Sequence, residues 1–265
     1  MPLPTYQELL KVACEAAWVA GRQTLAHFNT GVAVEWKSDH SPVTVADREA
    51  ERTLRRMINQ AFPNHAILGE EYGEQPGSDP IRWILDPIDG TRSFARGIPL
   101  YGVQVGVEVM GEPVVGVIYL PVLDELVAAY QGGGCTLNGR PCRVSQVKER
   151  DQALLLAHDL NLIQKRWQGL ATLVGQVQGL RNWGDCYSFV QVATGRAEMV
   201  LEPRMSSWDN APLLTILEEA GGLFTNWRGE RTIHGGEALA SNGHFHPFLL
   251  DALADSVPLP PELNS

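Results

Sequence analysis

Residues 101–120, YGVQVGVEVMGEPVVGVIYL, dictate a β-hairpin. The alternation over 101–109 has the two-residue period of a strand. MGEP turns the chain, and VVGVIYLPV answers as the second strand. A hairpin cannot bury an apolar face by itself, so its neighbours must extend the sheet and cover it. PIRWILDP reads as a preceding strand that ends at Asp86, and ELVAAY as a third short strand. GGGCTLNGRPCRVS reads as a glycine-rich ribbon with an Asn-Gly turn. A first helix is predicted over 5–28 from the spacing of Leu9, Val12, Ala13, Ala16, Ala20 and Leu25. A second is predicted from near Asp47, as its cap, with Leu54, Met57, Ile58 and Phe62 facing inward and Pro63 as the stop. Residues 1–150 are thus expected to form an N-terminal unit of helices and antiparallel sheet.

A C-terminal α/β unit is expected over 151–265. In it ALLLAH predicts a strand, 161–177 a helix, CYSFVQVATG a helix stopped by Gly195, and AEMVLEP a strand. SSWDNAPLLTILEEAGG predicts a helix that Ser206 or Ser207 opens and Gly221-Gly222 closes. GLFTNWRGE reads as a ribbon, 246–254 as a terminal helix, and PLPPELNS as a loose end.

The formal net charge of −10 lacks the basic footprint of a nucleic-acid binder. No apolar run reaches the length of a membrane span, and the N-terminus lacks a secretory pattern. The cysteines at 14, 135, 142 and 186 form no CxxC pair, although Cys135 and Cys142 can approach across a turn. A soluble, cytoplasmic protein is expected, with no nucleic-acid or membrane partner.

Within WILDPIDGTRSF (83–94), Asp86 stands where an apolar strand stops. Pro87 keeps it extended, and Asp89 falls on the turn beyond. That turn aims two carboxylates at one place, with the Ile88 carbonyl as a further oxygen donor. Carboxylates so close repel unless a cation compensates, and a hard divalent ion such as magnesium takes these oxygen ligands. The amides of Gly90 and Thr91 suit a phosphate if a helical turn follows. Glu70, in GEEYG, can enter from a neighbouring strand end, and Asp209, in SSWDNA, from the second unit. The site would then lie in a cleft between the halves. Taken singly, these residues have plainer readings: DPIDG as a structural turn, Glu71 as a solvated charge or accessory group, Asp209 as a helix-start residue and Asp47 as a cap.

SPVTVADREAE, ILGEEYG, WILDPIDGTRSFARGIP, GVQVGV, GVIYLPVLDE and SWDNAPLLTILEEAGG resemble, in order and over most of the chain, the magnesium-dependent inositol monophosphatase family. The resemblance implies an α/β fold layered α-β-α-β-α, a homodimer, and two or three Mg2+ ions per active site. Glu70, Asp86 and the Ile88 carbonyl would hold one ion, and Asp86, Asp89 and Asp209 a second. Glu70 would also reach a third ion through water. Thr91 and Asp47 would orient the attacking water, while Lys37 and Asp39 would shape a mobile loop. Other phosphatase chemistries fit less well: CxxxxxR, DxDxT and GxxxxGK[ST] are all missing.

RNWGDCYSF (181–189) carries a Gly-Asp-aromatic pattern that resembles the histidinol-phosphate phosphatases of the family. A carboxylate near the alcohol can pair with the ammonium or imidazole of histidinol. Asp185 is the first candidate and Glu202 the second, with Arg181, Asn182 and Trp183 as lining. Asp185 also reads as a helix cap, Trp183 as core, and Glu202 as lying outside the pocket. Arg92 has a phosphate or an acidic neighbour as its expected partner. The expected activity is magnesium-dependent hydrolysis of histidinol phosphate by a metal-activated water. The alternatives are an inositol-1-phosphate or sugar-phosphate phosphatase and a non-catalytic metal-binding regulator.

Overall fold

The computed structural model describes residues 3–38 and 41–258. Helix α1 (Tyr6–Thr24) opens with a capping box: the Glu8 amide donates to the Thr5 hydroxyl at 3.3 Å, and the Thr5 amide to the Glu8 carboxylate at 2.7 Å. It ends short of the predicted 28, where the Thr24 hydroxyl donates to the Gly21 carbonyl at 2.7 Å and lies 2.9 Å from the Tyr101 hydroxyl. The ribbon β1 (Glu35–Trp36) with β2 (Pro42–Val43) leads into α2 (Val45–Ala61). Thr44, not Asp47, caps α2. Asp47 is the acid three residues on that completes the capping box.

Next come β3 (Ala66–Gly69), β4 (Gly73–Gln75), β5 (Ile81–Asp89), α3 (Thr91–Ala95), β6 (Gly102–Val109), β7 (Glu112–Leu120), β8 (Glu125–Tyr130), β9 (Gly134–Leu137) and β10 (Arg140–Cys142). The strands β3 to β10 form one sheet in the order β10-β9-β8-β7-β6-β5-β3-β4. It is antiparallel except that β3 runs parallel to β5, so the expected all-antiparallel sheet is mixed. The rest of the chain supplies β11 (Leu154–Ala157), α4 (Leu160–Arg166), α5 (Leu170–Val174), β12 (Gly179–Arg181), α6 (Asp185–Ala193), β13 (Met199–Glu202), α7 (Ser207–Glu219), β14 (Leu223–Thr225), β15 (Ala238–Ser241) and α8 (His246–Ala252). The second sheet has the order β12-β11-β13-β15-β14, with β11 parallel to both β12 and β13. The single helix predicted over 161–177 is two helices. Trp167 leaves the helical path to bury its indole beside Ile163 and Leu170.

Strand alternation sorts the core into layers. Trp83, Leu85, Val103, Val105 and Val107 face Leu9, Ala13, Ala16, Leu54 and Ile58 of α1 and α2. Ile84, Ile118 and Leu120 face the other way, onto α6 and α7, which also receive Leu156, Val200 and Ala240 of the second sheet. Leu155, Met199 and Leu201 point outward onto α4, α5 and α8. Helix, sheet, helix, sheet and helix thus stack in the α-β-α-β-α order expected. Because α7 is covered by a sheet on each side, every residue from Asn210 to Leu217 is buried. Its seat on the large sheet depends on Gly106 and Gly116, cross-strand partners in β6 and β7. A Cβ on Gly106 would lie 2.7 Å from Ala211 Cβ, and one on Gly116 would lie 2.2 Å from the Pro212 carbonyl oxygen. Bare backbone at both positions brings the N-terminus of α7 down towards the end of β5.

Candidate active site

Asp86 and Asp89 both belong to β5, which continues through Pro87 instead of stopping at Asp86. In a regular strand, residues three apart face opposite ways. Here Asp86 pairs with Gln104 and Asp89 with Gly102, so three steps on β5 meet two on β6. The extra residue is a bulge; it turns Asp89 back towards the side of Asp86 and tolerates the missing amide of Pro87. The Ile88 amide donates to Asp86 Oδ1 at 3.0 Å. Asp209 arrives from the first turn of α7. There the Ser206 amide donates to its Oδ2 at 2.7 Å, which leaves Oδ1 for the cleft. One oxygen from each of Asp86, Asp89 and Asp209 lies within 4.8 Å of the others.

These carboxylates are short of positive charge. Burial first, then Glu70, Asp89 and Asp209, raise Asp86 well above the ordinary carboxylate range. Burial followed by Asp185 and Asp209 does the same to Asp89, against the pull of the Cys186 amide, which donates to Asp89 Oδ2. Asp209 is pushed up to about 6, chiefly by burial. Three carboxylates, Asp86 buried and Asp89 and Asp209 half-buried, with only oxygen donors and mutual repulsion, fit a hard divalent cation.

Glu70 lines the same cleft, and its Oε1 accepts from Lys37 Nζ at 2.8 Å. Lys37 also reaches Glu71 Oε1 at 2.6 Å. Glu71 is not a solvated charge: its side chain is 4% exposed. Burial raises both Glu70 and Glu71 to about 7. A carboxylate that sequence reasoning missed, Glu51, holds this corner. It is fully buried and accepts from the Glu71 amide at 2.7 Å, the Tyr72 amide at 3.2 Å and Arg55 Nε at 2.7 Å. Asp39 lies outside the described residues.

Asp47 is buried behind the cleft. Its Oδ2 accepts from the Thr44 amide at 2.8 Å and hydroxyl at 2.6 Å, and its Oδ1 lies 3.2 Å from Thr91 Oγ1. The Thr91 hydroxyl is also 3.0 Å from the Ile88 carbonyl, so one proton has two acceptors. Asp47 and Asp209 are thus built alike: each closes a capping box with one oxygen and keeps the other for the site. Gly90 and Thr91 line the cleft at the start of α3, and the Arg92 guanidinium lies over the Trp36 ring at 5.7 Å.

The cleft has a volume of about 500 Å³. Its far wall is formed where β11, β12 and β13 end together. Ligands of open α/β sheets sit outside such carboxyl ends. Glu202 ends β13, and Asp185 opens α6 with φ +57°, a left-handed conformation that aspartate tolerates better than most residues. Between them stands His158, a second residue that sequence reasoning missed. Its Nδ1 is 3.4 Å from Glu202 Oε1 and 3.7 Å from Asp185 Oδ1. Glu202 and then Asp185 push its imidazolium up to about 9, against the opposing effect of burial. Glu202 Oε2 is buried and has no hydrogen-bond partner among the described residues. Arg181 is exposed on the edge strand β12 and does not line the cleft. Asn182 donates to the Ala157 carbonyl at 2.8 Å, and Trp183 packs edge-on to Tyr187 against the central core.

Comparison with known proteins agrees with this geometry. The family model described as "Inositol monophosphatase family" matches residues 5–257. The chain is 42% identical to histidinol-phosphatase of Chlorobaculum parvum, over 88% of this chain and 91% of the relative. It is 34% identical to inositol-1-monophosphatase of Rhizobium meliloti, over 94% and 97%. Among solved structures, the extragenic suppressor protein SuhB of Bartonella henselae superposes with a TM-score of 0.87 at 31% identity, covering 94% of this chain and 99% of that one. Sequence, fold and acidic cluster agree, and the chain belongs to the inositol monophosphatase family.

Proposed function

We propose that this protein is a magnesium-dependent phosphate monoesterase that converts L-histidinol phosphate and water to L-histidinol and phosphate. The observation that carries the choice of substrate is the pair Asp185 and Glu202 on the alcohol side of the cleft, with Glu202 Oε2 still lacking a donor. A buried and a half-buried carboxylate side by side favour a ligand that brings positive charge and N–H donors, and histidinol has an ammonium group and an imidazole. The 42% identity to a histidinol-phosphatase supports the same choice.

Asp86, Asp89 and Asp209, with Glu70 and the Ile88 carbonyl beside them, would hold the magnesium. The bound ion supplies Lewis-acid charge that acidifies water and offsets the phosphoryl oxygens. Thr91 donates its hydroxyl proton to Asp47 and accepts from the attacking water, which fixes that water's orientation. The water oxygen bonds to phosphorus as the ester P–O bond breaks; the water gives up one proton through Thr91 towards Asp47, solvent water protonates the leaving oxygen, and the alcohol departs towards Asp185 and Glu202. Buried Asp47 holds Thr91 rather than touching substrate.

A second reading, an inositol or sugar phosphate, has the 34% identity to an inositol-1-monophosphatase and one structural observation in its favour. His158 already offsets part of the charge of the pair, and carboxylates also accept from hydroxyls. Asp185→Asn and Glu202→Gln separate the two. Each should lower kcat/KM for histidinol phosphate at least about tenfold more than for inositol 1-phosphate, the equivalent of about 1.4 kcal/mol. Equal losses on both esters would reject the assignment.

A further inference from the structure

The three parallel strands of the small sheet deliver three charged side chains to one point. His158 follows β11, Asp185 follows β12, and Glu202 ends β13. The histidine ring fits because residue 184 has no side chain: a Cβ on Gly184 would lie 2.4 Å from His158 Cγ. The ring's distances to the carboxylates, 3.4 and 3.7 Å, exceed those of direct charge-assisted hydrogen bonds. A long contact with Glu202 and the charge of both carboxylates hold it there. With one nitrogen facing two carboxylates, it leaves Glu202 Oε2 unpartnered. Its side chain is 37% exposed, so it has a path into solvent.

We propose that His158 is an internal stand-in for the cationic group of the substrate. It occupies the Asp185–Glu202 pair in the ligand-free protein and swings out when a cationic alcohol binds, and so it sets the selectivity between cationic and uncharged phosphate esters. This rests on the phosphate-ester reading of the cleft. A ligand carrying both an ammonium and an imidazole satisfies more of the four carboxylate oxygens than His158 does. An uncharged polyol gains no such advantage, and it binds with His158 left in place. The resident cation therefore lowers affinity for the cationic ester and leaves affinity for the neutral ester nearly untouched.

The test compares wild type, His158→Ala and His158→Gln with L-histidinol phosphate and inositol 1-phosphate as separate substrates at saturating magnesium. Removing the imidazolium should raise the ratio of kcat/KM, cationic over neutral ester, by about tenfold, with the gain in KM. His158→Gln keeps a polar side chain of similar reach if the alanine variant folds poorly. If neither ester ratio nor KM moves, His158 is only structural and the proposal fails. A fall in the ratio would make His158 a direct substrate contact, which also overturns it. A wild-type preference for inositol 1-phosphate would refute the histidinol assignment instead. The inhibition constant of histidinol phosphate against inositol 1-phosphate hydrolysis then gives the same readout for His158.

Discussion

Replacing Asp209 with asparagine should stabilise the metal-free protein while weakening its response to magnesium. The asparagine amide oxygen can still accept from the Ser206 amide, now at 2.7 Å, so the first turn of α7 keeps its cap. What disappears is a charge that the fold must keep beside Asp86 and Asp89. The rise of Asp209 from its ordinary 3.8 to about 6 corresponds to about 3 kcal/mol lost from the folded state once the group ionises. For a chain of this size that is a gain of about 5–10 °C in Tm for metal-free Asp209→Asn at pH 8. Wild type should recover stability when magnesium binds, by ~2.7 kcal/mol at a concentration a hundredfold above Kd. The variant should show clearly less of that recovery. Scanning calorimetry with chelator and then with magnesium reads both effects. A metal-free variant less stable than wild type at pH 8, or one stabilised by magnesium as strongly as wild type, would refute the argument that these carboxylates are an uncompensated metal site.

Further predictions follow from the same geometry. Glu70 and Glu71 at about 7 and Asp209 at about 6 all lie above their unfolded values, so their contribution to stability is complete below about pH 4 and is lost as pH rises through 6 to 7. Metal-free Tm should therefore fall between pH 5 and 8, and magnesium should flatten that slope; a Tm that rises over this window without metal would contradict it. Thr91→Val should lower kcat by about 10²–10⁴ and leave the fold intact, and Thr91→Ser should restore much of the rate in a phosphate-release assay. Gly116→Ala places a methyl group 2.2 Å from the Pro212 carbonyl oxygen. It should cost about 1–3 kcal/mol and weaken magnesium binding as α7 lifts Asp209 away, both measurable by thermal shift.

Much of the site was legible because its chemistry is local. WILDPIDGT places Asp86, Asp89 and Thr91 within one bulge and the turn after it, and Ser206 signals the helix start that carries Asp209. Even there, the sequence pattern ended the strand too early, at Asp86: the bulge that carries β5 on through Pro87 is visible only in the register against β6. His158 was hidden for a different reason. A lone histidine after a four-residue apolar strand carries no local signal, and its meaning depends on three strand ends meeting across 44 residues of chain, from 158 to 202. Glu51 was hidden likewise, because its partners are backbone amides on a distant turn. Arg181 shows the converse: it stands four residues from Asp185, yet β12 leaves it on an exposed edge outside the cleft. The break between α4 and α5 escaped the helical pattern because tertiary burial of Trp167 outweighs local propensity.

The most direct test is release of inorganic phosphate from L-histidinol phosphate and from inositol 1-phosphate by the purified wild-type protein, side by side with magnesium and with chelator. Magnesium-dependent release from both is expected, with kcat/KM clearly higher for histidinol phosphate. Equal or better turnover of inositol 1-phosphate would contradict the substrate assignment, and no magnesium-dependent release from either ester would contradict the proposed activity.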